Sequence, residues 1–349
     1  AVLGVIMSLF LSLGAGTILS GVGVADALMQ PAKTYLQIVG GFCILNALIP
    51  ICSSYLRAFG FSKEPLYASI IGNVINFCLN AFFLFVLHKG VAGVATATVV
   101  SRIINLVIVV LLGAVLVKAK QHPERESNRA VMGQIIRIGL PSACETAIYN
   151  VSMTLVIRFL NQMDAQGLNV TARSYTMQIT NFSYCVGAAL AQANAIMTGW
   201  HIGAKEYDAC DRGTKKAAVI GVIVAVILET VFTLCSGWIM QLFSKDPQMV
   251  SLVGKLLAID IVLEIGRVTN LVYGQALKTS GDAVFPVVMG ACFMILCSVG
   301  GTYLFGIRLG LLAVGAYIGM TGDECVRAVG MYLRWKSGKW KEKGLVKSR

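Results

Sequence analysis

Apolar residues run in blocks of spanning length along nearly the whole chain, separated by short polar stretches. A membrane-crossing helix needs about 20 such residues. Ten blocks approach that length, at approximately 2–20, 35–56, 67–87, 91–115, 138–161, 172–199, 217–243, 249–277, 284–307 and 310–333. The one long charged connection, Lys118 to Arg129, leaves four blocks before it and six after it. The pattern predicts an all-α integral membrane protein with ten transmembrane helices present.

The blocks repeat. Leu56-Arg57-Ala58 is followed by Gly60 and Pro65; Leu277-Lys278-Thr279 is followed by Gly281 and Pro286, and 286 minus 65 is 221. The same offset pairs Gly16 with Gly237 and Ile18 with Ile239, and one residue more pairs Gly93 with Gly315. Blocks one to four therefore recur as blocks seven to ten. Blocks five and six have no partner, so a native unit of twelve helices is expected, with two further spans ahead of Ala1. Six spans separate equivalent positions, which predicts two six-helix lobes related by a pseudo-two-fold along the membrane normal. The expected organisation is an N-lobe remnant at 1–117, a cytoplasmic linker at 118–130, a C-lobe at 131–335 and a basic cytoplasmic tail at 336–349.

Composition agrees with a membrane protein. Of 349 residues, 56% are hydrophobic and 13% charged, with a mean hydropathy of +0.75, whereas soluble domains carry roughly 25% charge. A net charge of +12 would point to nucleic acid in a soluble chain. Here the basic residues fall in short loops and the tail, where they set orientation, and no nucleic-acid partner is expected. One set of loops with the tail holds nineteen of them; the opposite set holds five, namely Lys33, Lys89, Arg173, Lys245 and Arg308. The richer side is cytoplasmic by this rule, and the C-terminus with it; membrane lipids are the expected partners of the tail. Ten cysteines without a C-x-x-C, three isolated histidines and no nucleophile-elbow, zinc-protease or phosphate-loop pattern leave no enzyme signature and imply no cofactor.

A few polar residues stand inside the blocks. Asp260, Glu264 and Arg267 fall at i, i+4 and i+7, on one side of a helix. Each costs about 2.5 to 3.5 kcal/mol in hydrocarbon, so the stripe should face protein or a wet cavity, as a transport pathway would provide. Glu264 and Arg267 are also spaced to neutralise each other. Glu145 follows Pro141 by four residues, and counting from the cytoplasmic ends puts it at a depth similar to Arg267, which allows an ion pair between the two. Ser174, Gln178, Asn181 and Gln192 share about one helix face, as cavity lining or as helix-to-helix glue. Asp323 and Arg327, at i and i+4, look self-paired. Arg102 has no acid within one turn and needs a partner from another helix. Asn150 lies inside a span, so its N-V-S sequon carries little weight.

At several places the residues resemble a known family. NALIPICSSYLRAFGFSKEP (46–65) looks like the signature N-A-x-x-x-x-x-R-A-x-G-x-x-K-x-P that follows the fourth span of the MATE (multidrug and toxic compound extrusion) transporters. GVAGVATATVVSR (90–102) is similar to their sixth span, GLPSACE (139–145) to the start of their seventh, and ALAQANAIMTGWHIGAKEYDACDRGTKKA (189–217) to the end of their eighth with its cytoplasmic loop. The resemblance covers essentially the whole chain and implies twelve helices in two lobes, in a monomer of the cell inner (plasma) membrane. It also implies cation-driven export of varied, often cationic, organic compounds, with H+ or Na+ as the coupling ion. Glu145, Asp260, Glu264, Arg267, Gln178 and Asn181 are then the binding candidates, with Arg102, Asn150, Gln192 and Asp323 secondary, and a sodium ion would sit at Asp260 and Glu264. Branches of the family associated with sodium carry an acid near the place of Arg267, which favours the proton. Two alternatives remain at this point: a lipid-linked saccharide flippase of the same superfamily, which needs more central arginines than Arg102 and Arg267, and a membrane scaffold without transport.

Overall fold

The computed structural model describes residues 1–22, 26–118, 128–164 and 167–343, and among these the chain is helical with no strand. In chain order the helices are α1 (Val2–Leu13), α2 (Ala15–Val22), α3 (Asp26–Gly41), α4 (Ile44–Ala58), α5 (Lys63–Ala81), α6 (Gly90–Lys118), α7 (Asn128–Met163), α8 (Leu168–Gly203), α9 (Tyr207–Leu234), α10 (Ser236–Met240), α11 (Pro247–Thr279), α12 (Val284–Phe293) and α13 (Leu312–Lys336). Wider π turns extend α5 over Phe82–Val86 and α12 over Met294–Val299 and Thr302–Arg308. Contacts divide the chain into two units, Ala1–Glu124 and Arg125–Arg349. Most of the expected linker, 119–127, and the last six residues, 344–349, lie outside the described residues.

Several predicted blocks change shape. The first is broken at Gly14, whose N–H still closes onto Phe10 O at 2.9 Å. The second starts earlier than expected, at Asp26, and bends at residues 42–43. The fifth begins ten residues before its predicted start, with Pro141 inside the helix and not at its first turn. Among the described residues, five stretches suffice by length and apolarity alone to cross a membrane: Met29–Ala58, Lys63–Val86, Gly90–Val117, Tyr207–Leu234 and Val284–Arg308. The long helices outside that set, α7, α8, α11 and α13, carry most of the charge in the interior of the second unit, and Glu229 of α9 adds to it.

In the first unit α1 packs on α3 and α4, and α6 lies against α3, α4 and α5. Its core is Leu56, Ala68, Val109 and Val117. Ser8 Oγ accepts from Ile44 N at 3.0 Å, and Asn76 donates to Ser101 Oγ at 3.2 Å. In the second unit α11 is central, packed on α8, α9 and α13. Close approach is built on small residues: a Cβ on Gly266 would lie 2.8 Å from Cys325 N, and one on Gly301 would lie 2.7 Å from Gly319 Cα. Helices that near can share hydrogen bonds and charges across their seam. These glycines therefore serve packing.

The basic tail does not simply run on from α13. Gly338, at φ +72°, reverses the chain, and Lys339–Lys343 form a single 3-10 turn. Trp340 is buried, stacks on Trp335 at 4.1 Å and donates to Trp335 O at 3.0 Å. Trp335 in turn donates to Asp211 at 2.9 Å, so the start of the tail is tied to α9.

Candidate functional site

A cavity of about 530 Å³ opens within the second unit, walled by α7, α8, α11, α12 and α13. That is within the range of roughly 300 to 1,000 Å³ usual for small-molecule sites. Its wall carries both signs of charge: Glu145, Asp260 and Glu324 face Arg173, Arg267, Lys278 and Arg327.

Most of these charges are paired. Arg267 donates to Glu264 at 2.7 Å and lies 3.9 Å from Glu324, so the spacing that allowed Glu264 and Arg267 to neutralise each other is used. Arg327 grips Asp323 with two bonds of 2.8 and 3.0 Å, and reaches Glu324 at 2.8 Å. Ser298 completes Asp323 at 2.9 Å, and Asn270 donates to Glu324 at 3.0 Å. The Gly266 approach explains why these groups meet, since it lays α11 against the α13 backbone at Glu324 and Cys325. Glu145 does not pair with Arg267; it is held by Lys278 at 2.6 Å. Helix counting placed Glu145 and Arg267 at one depth but could not show that Arg267 turns toward Glu264 and leaves Glu145 to the lysine eleven residues on.

Two charged groups in the wall are left over. Asp260 is almost fully buried and its Oδ2 has no hydrogen-bond partner. Arg173 is likewise buried, its Nε is unpartnered, and its other contact is Met153 sulfur at 3.6 Å. Its place inside α8 corrects the expectation that it belongs to an outer loop. Behind the wall, Glu229 of α9 is fully buried with neither oxygen hydrogen-bonded; the Ser183 hydroxyl lies alongside it, and Asp260 and Glu264 are near enough to repel it. An unpaired ion in such surroundings is costly.

The remaining candidates divide. Asn181 and Asn150 line the cavity, Asn150 with its amide also bonded to Thr146 O at 2.9 Å. Gln178 and Gln192 are exposed on α8 and do not contribute to the cavity wall; Gln192 stands eleven residues, about 16 Å along the axis, beyond Asn181, and Gln178 lies about 60° round the helix from it. Arg102 belongs to the first unit and forms no ion pair among the described residues. Glu229, Glu324 and Lys278 were missed as site residues. Glu324 had a signal, since it neighbours a noted Asp-Arg pair, and Glu229 had one as a lone acid in an apolar block. Among the described residues no three His, Cys, Asp or Glu side chains converge as a metal-ion set, and all ten cysteines are free.

The family model MatE matches residues 1–82 and 141–304. The chain belongs to the MATE family. It is 34% identical to the uncharacterized transporter YisQ of Bacillus subtilis (strain 168) over 330 residues, which cover 93% of this chain and 72% of that protein. It is 22% identical over 326 residues to the probable multidrug resistance protein NorM of Thermotoga maritima, covering 90% of this chain and 68% of that one. Its fold is that of solved MATE structures: a crystal structure of MATE in the bent conformation superposes with a TM-score of 0.86 at 18% identity, covering 98% of this chain and 76% of the other. A MOP superfamily transporter from Pyrococcus furiosus superposes with a TM-score of 0.88 at 18% identity, over 97% and 77%. This MATE-family chain is thus a multi-pass membrane protein of a transporter family.

Proposed function

We propose that this chain exports small organic compounds, cations among them, across the plasma membrane in exchange for an inward-moving proton or sodium ion. The observation that carries the reading is Asp260: a buried carboxyl in the wall of a drug-sized cavity, with an oxygen free of any partner. Glu229 and Glu264 behind it add to the local excess of acid, because Arg267 is shared between Glu264 and Glu324. Either an incoming small cation or an outgoing organic one relieves the same uncompensated charge. A site that holds one at a time couples two opposed fluxes without a nucleotide. The name of the Thermotoga relative, a probable multidrug resistance protein, supports the same class of substrate. The distribution of basic residues supports a cytoplasmic C-terminus.

The test is efflux of ethidium from vesicles holding the protein, under an imposed pH or sodium gradient. Wild type is expected to export under one of the two gradients, and Glu145→Gln and Asp260→Asn to lose that export while keeping their fold. Export at the wild-type rate by both well-folded variants would show the carboxyls to be structural.

A further inference from the structure

At the end of the second unit that carries the tail, basic side chains outnumber the acids that could answer them. Asp211 is bonded to Lys215 at 2.7 Å and to Trp335 at 2.9 Å, Asp282 to Arg334 and Lys343, and Glu206 to His201 at 2.9 Å. Arg212, Lys216, Lys336, Lys339 and Lys341 are exposed and form no ion pair among the described residues, and the exposed acids left to face them are Asp208 and Glu342. The unanswered cations are also ordered in space. Arg212 and Lys216 share a face of α9, and Ile220, Ile223 and Ile227, at four, seven and eleven residues beyond Lys216, continue that face as exposed apolar surface. Lys336 repeats the arrangement on α13, with Leu333, Val329 and Val326 exposed at three, seven and ten residues before it. An exposed apolar stripe on a helix of a membrane protein faces lipid tails, so a lysine one turn past its end stands among the headgroups. The bond from Trp335 to Asp211 ties the two helix ends together. Trp340 is turned inward and leaves its neighbours Lys339 and Lys341 outward, with the charge of Lys341 acting on Asp211 of α9. Two helices and the folded turn thus bring uncompensated positive charge to one place at the depth of the headgroups.

We propose that the adjoining ends of α9 and α13, with the 3-10 turn of the tail, form a binding site for the headgroups of acidic phospholipids. Lys216 and Lys336 hold the phosphodiester, and Arg212, Lys339 and Lys341 add to the attraction. From the sequence the tail alone was the expected partner of lipid; the site needs α9 as well, and it needs the turn folded, because the Trp340 contact is what keeps Lys339 and Lys341 beside α9. The inference is independent of what the cavity carries.

Native mass spectrometry of the full-length protein, released from nanodiscs of phosphatidylglycerol and phosphatidylcholine in equal amounts, reads which lipid is retained last. Wild type should keep phosphatidylglycerol over phosphatidylcholine by at least about tenfold, since each basic residue near the surface is worth about fivefold. The double variant Lys216→Gln/Lys336→Gln should lose at least about fivefold of that preference with no change in melting temperature, whereas Lys216→Arg/Lys336→Arg should retain it. Trp340→Ala keeps every basic residue but frees the turn, and should lose at least about twofold. Lys63→Gln, an exposed lysine of the first unit, should leave the preference as it is. Absence of a preference in wild type overturns the proposal, and so does a preference undiminished in Lys216→Gln/Lys336→Gln. A preference undiminished in Trp340→Ala would make the charge of a loose tail sufficient and overturn the folded site. Displacement of the retained lipid by dissolved glycerol phosphate would mark a site for a soluble phosphate and overturn the assignment to lipid.

Discussion

The two units of the chain share a backbone plan and differ in what they bury. Gly60 and Gly281 both take positive φ, at +88° and +91°, and in both places the sixth residue of the turn closes back, Phe61 N to Leu56 O at 3.0 Å and Asp282 N to Leu277 O at 2.9 Å. The first helix of each set breaks alike, with Gly14 N bonded to Phe10 O and Cys235 N to Val231 O, each at 2.9 Å. His88 and Gly90 share positive φ with Gly310 and Leu312, 222 residues on. At the positions that correspond by the repeat the side chains diverge. Ser8, Cys43 and Asn46 stand where Glu229, Glu264 and Arg267 stand, and Ser101, Arg102 and Asn105 where Asp323, Glu324 and Arg327 stand. Even the pairing partner persists, since Asn76 bonds Ser101 as Ser298 bonds Asp323. One scaffold serves twice; the first unit satisfies its seams largely with neutral polar groups, and the second replaces them with ions around a cavity.

The contrast is broken most severely at Arg327. Removing it leaves buried Asp323 with no guanidinium and Glu324 with only Arg267 at 3.9 Å and the Asn270 amide at 3.0 Å. Breaking a buried ion pair by deleting one partner costs about 3 to 5 kcal/mol. Arg327→Ala is therefore expected to lower the detergent melting temperature sharply, whereas Asn105→Ala at the matching position should cost under about 1 kcal/mol, since Asn105 Oδ1 already lacks a partner. Equal losses would mean that the charges of the second unit are no more than a variant of the same glue.

Asp260 tests the functional half of the contrast. Its counterpart is Val39, an apolar residue in the first unit. Asp260→Asn keeps the shape and removes an uncompensated charge, so the melting temperature should hold or rise, while the initial rate of ethidium efflux should fall by at least about tenfold. A variant that melts earlier and transports normally would reverse the assignment.

How much of this could be read from residues follows the physics of each signal. Helix existence was legible because about 20 apolar residues in a row admit few alternatives. The repeat was legible because a Gly at positive φ and a Pro after it cannot be exchanged cheaply, and those were the residues in register. Breaks at Gly14 and at 42–43 were not legible, since an α-helix and a bent one carry the same hydropathy. Asp260 and Arg267 were legible as members of one stripe on one helix. The Glu145 to Lys278 pair, the Arg267 to Glu324 approach and the isolation of Arg173 depend on which helices touch and how they are rotated, and a single sequence holds no record of that. Arg173 was misplaced for a simpler reason: five residues into a helix, it was read as belonging to the loop.

The shared turn yields an effect that should be nearly identical in the two units. Gly60→Ala and Gly281→Ala place a Cβ at a φ that L-residues occupy at a cost of about 1 kcal/mol or somewhat more, and at Gly60 the added carbon would have no atom within 4 Å. At Gly60 the cost is then backbone strain alone. The two variants should lower the melting temperature by similar, small amounts; a much larger loss at Gly281 would show that the second turn carries strain or function that the first does not.

The smallest effect sits one residue beyond that turn, where the units part again. Phe61 packs with Leu56 in the first core, whereas Asp282 is fully buried and accepts from Arg334 at 2.7 Å and from Lys343 at 2.6 Å. Burial works against the ionised form of Asp282, but the hydrogen bonds and positive charge of Arg334 and Lys343 outweigh it and hold the carboxyl below its usual value. A group whose folded value is depressed stabilises the fold above its unfolded value, about 3.9 for aspartate, and loses that contribution as the pH falls through the folded one. Acidification below about pH 4 should therefore loosen the returning tail before the unit unfolds. Fluorescence of the stacked Trp335 and Trp340 reports it, because Lys343 lies three residues from Trp340 and Arg334 adjoins Trp335. Asp282→Asn should shift the emission at neutral pH and abolish the acid step, and Phe61→Leu should leave the step in place. An acid step unchanged in Asp282→Asn would assign it to another carboxyl, with Asp211, bonded to Trp335 and Lys215, as the next to replace.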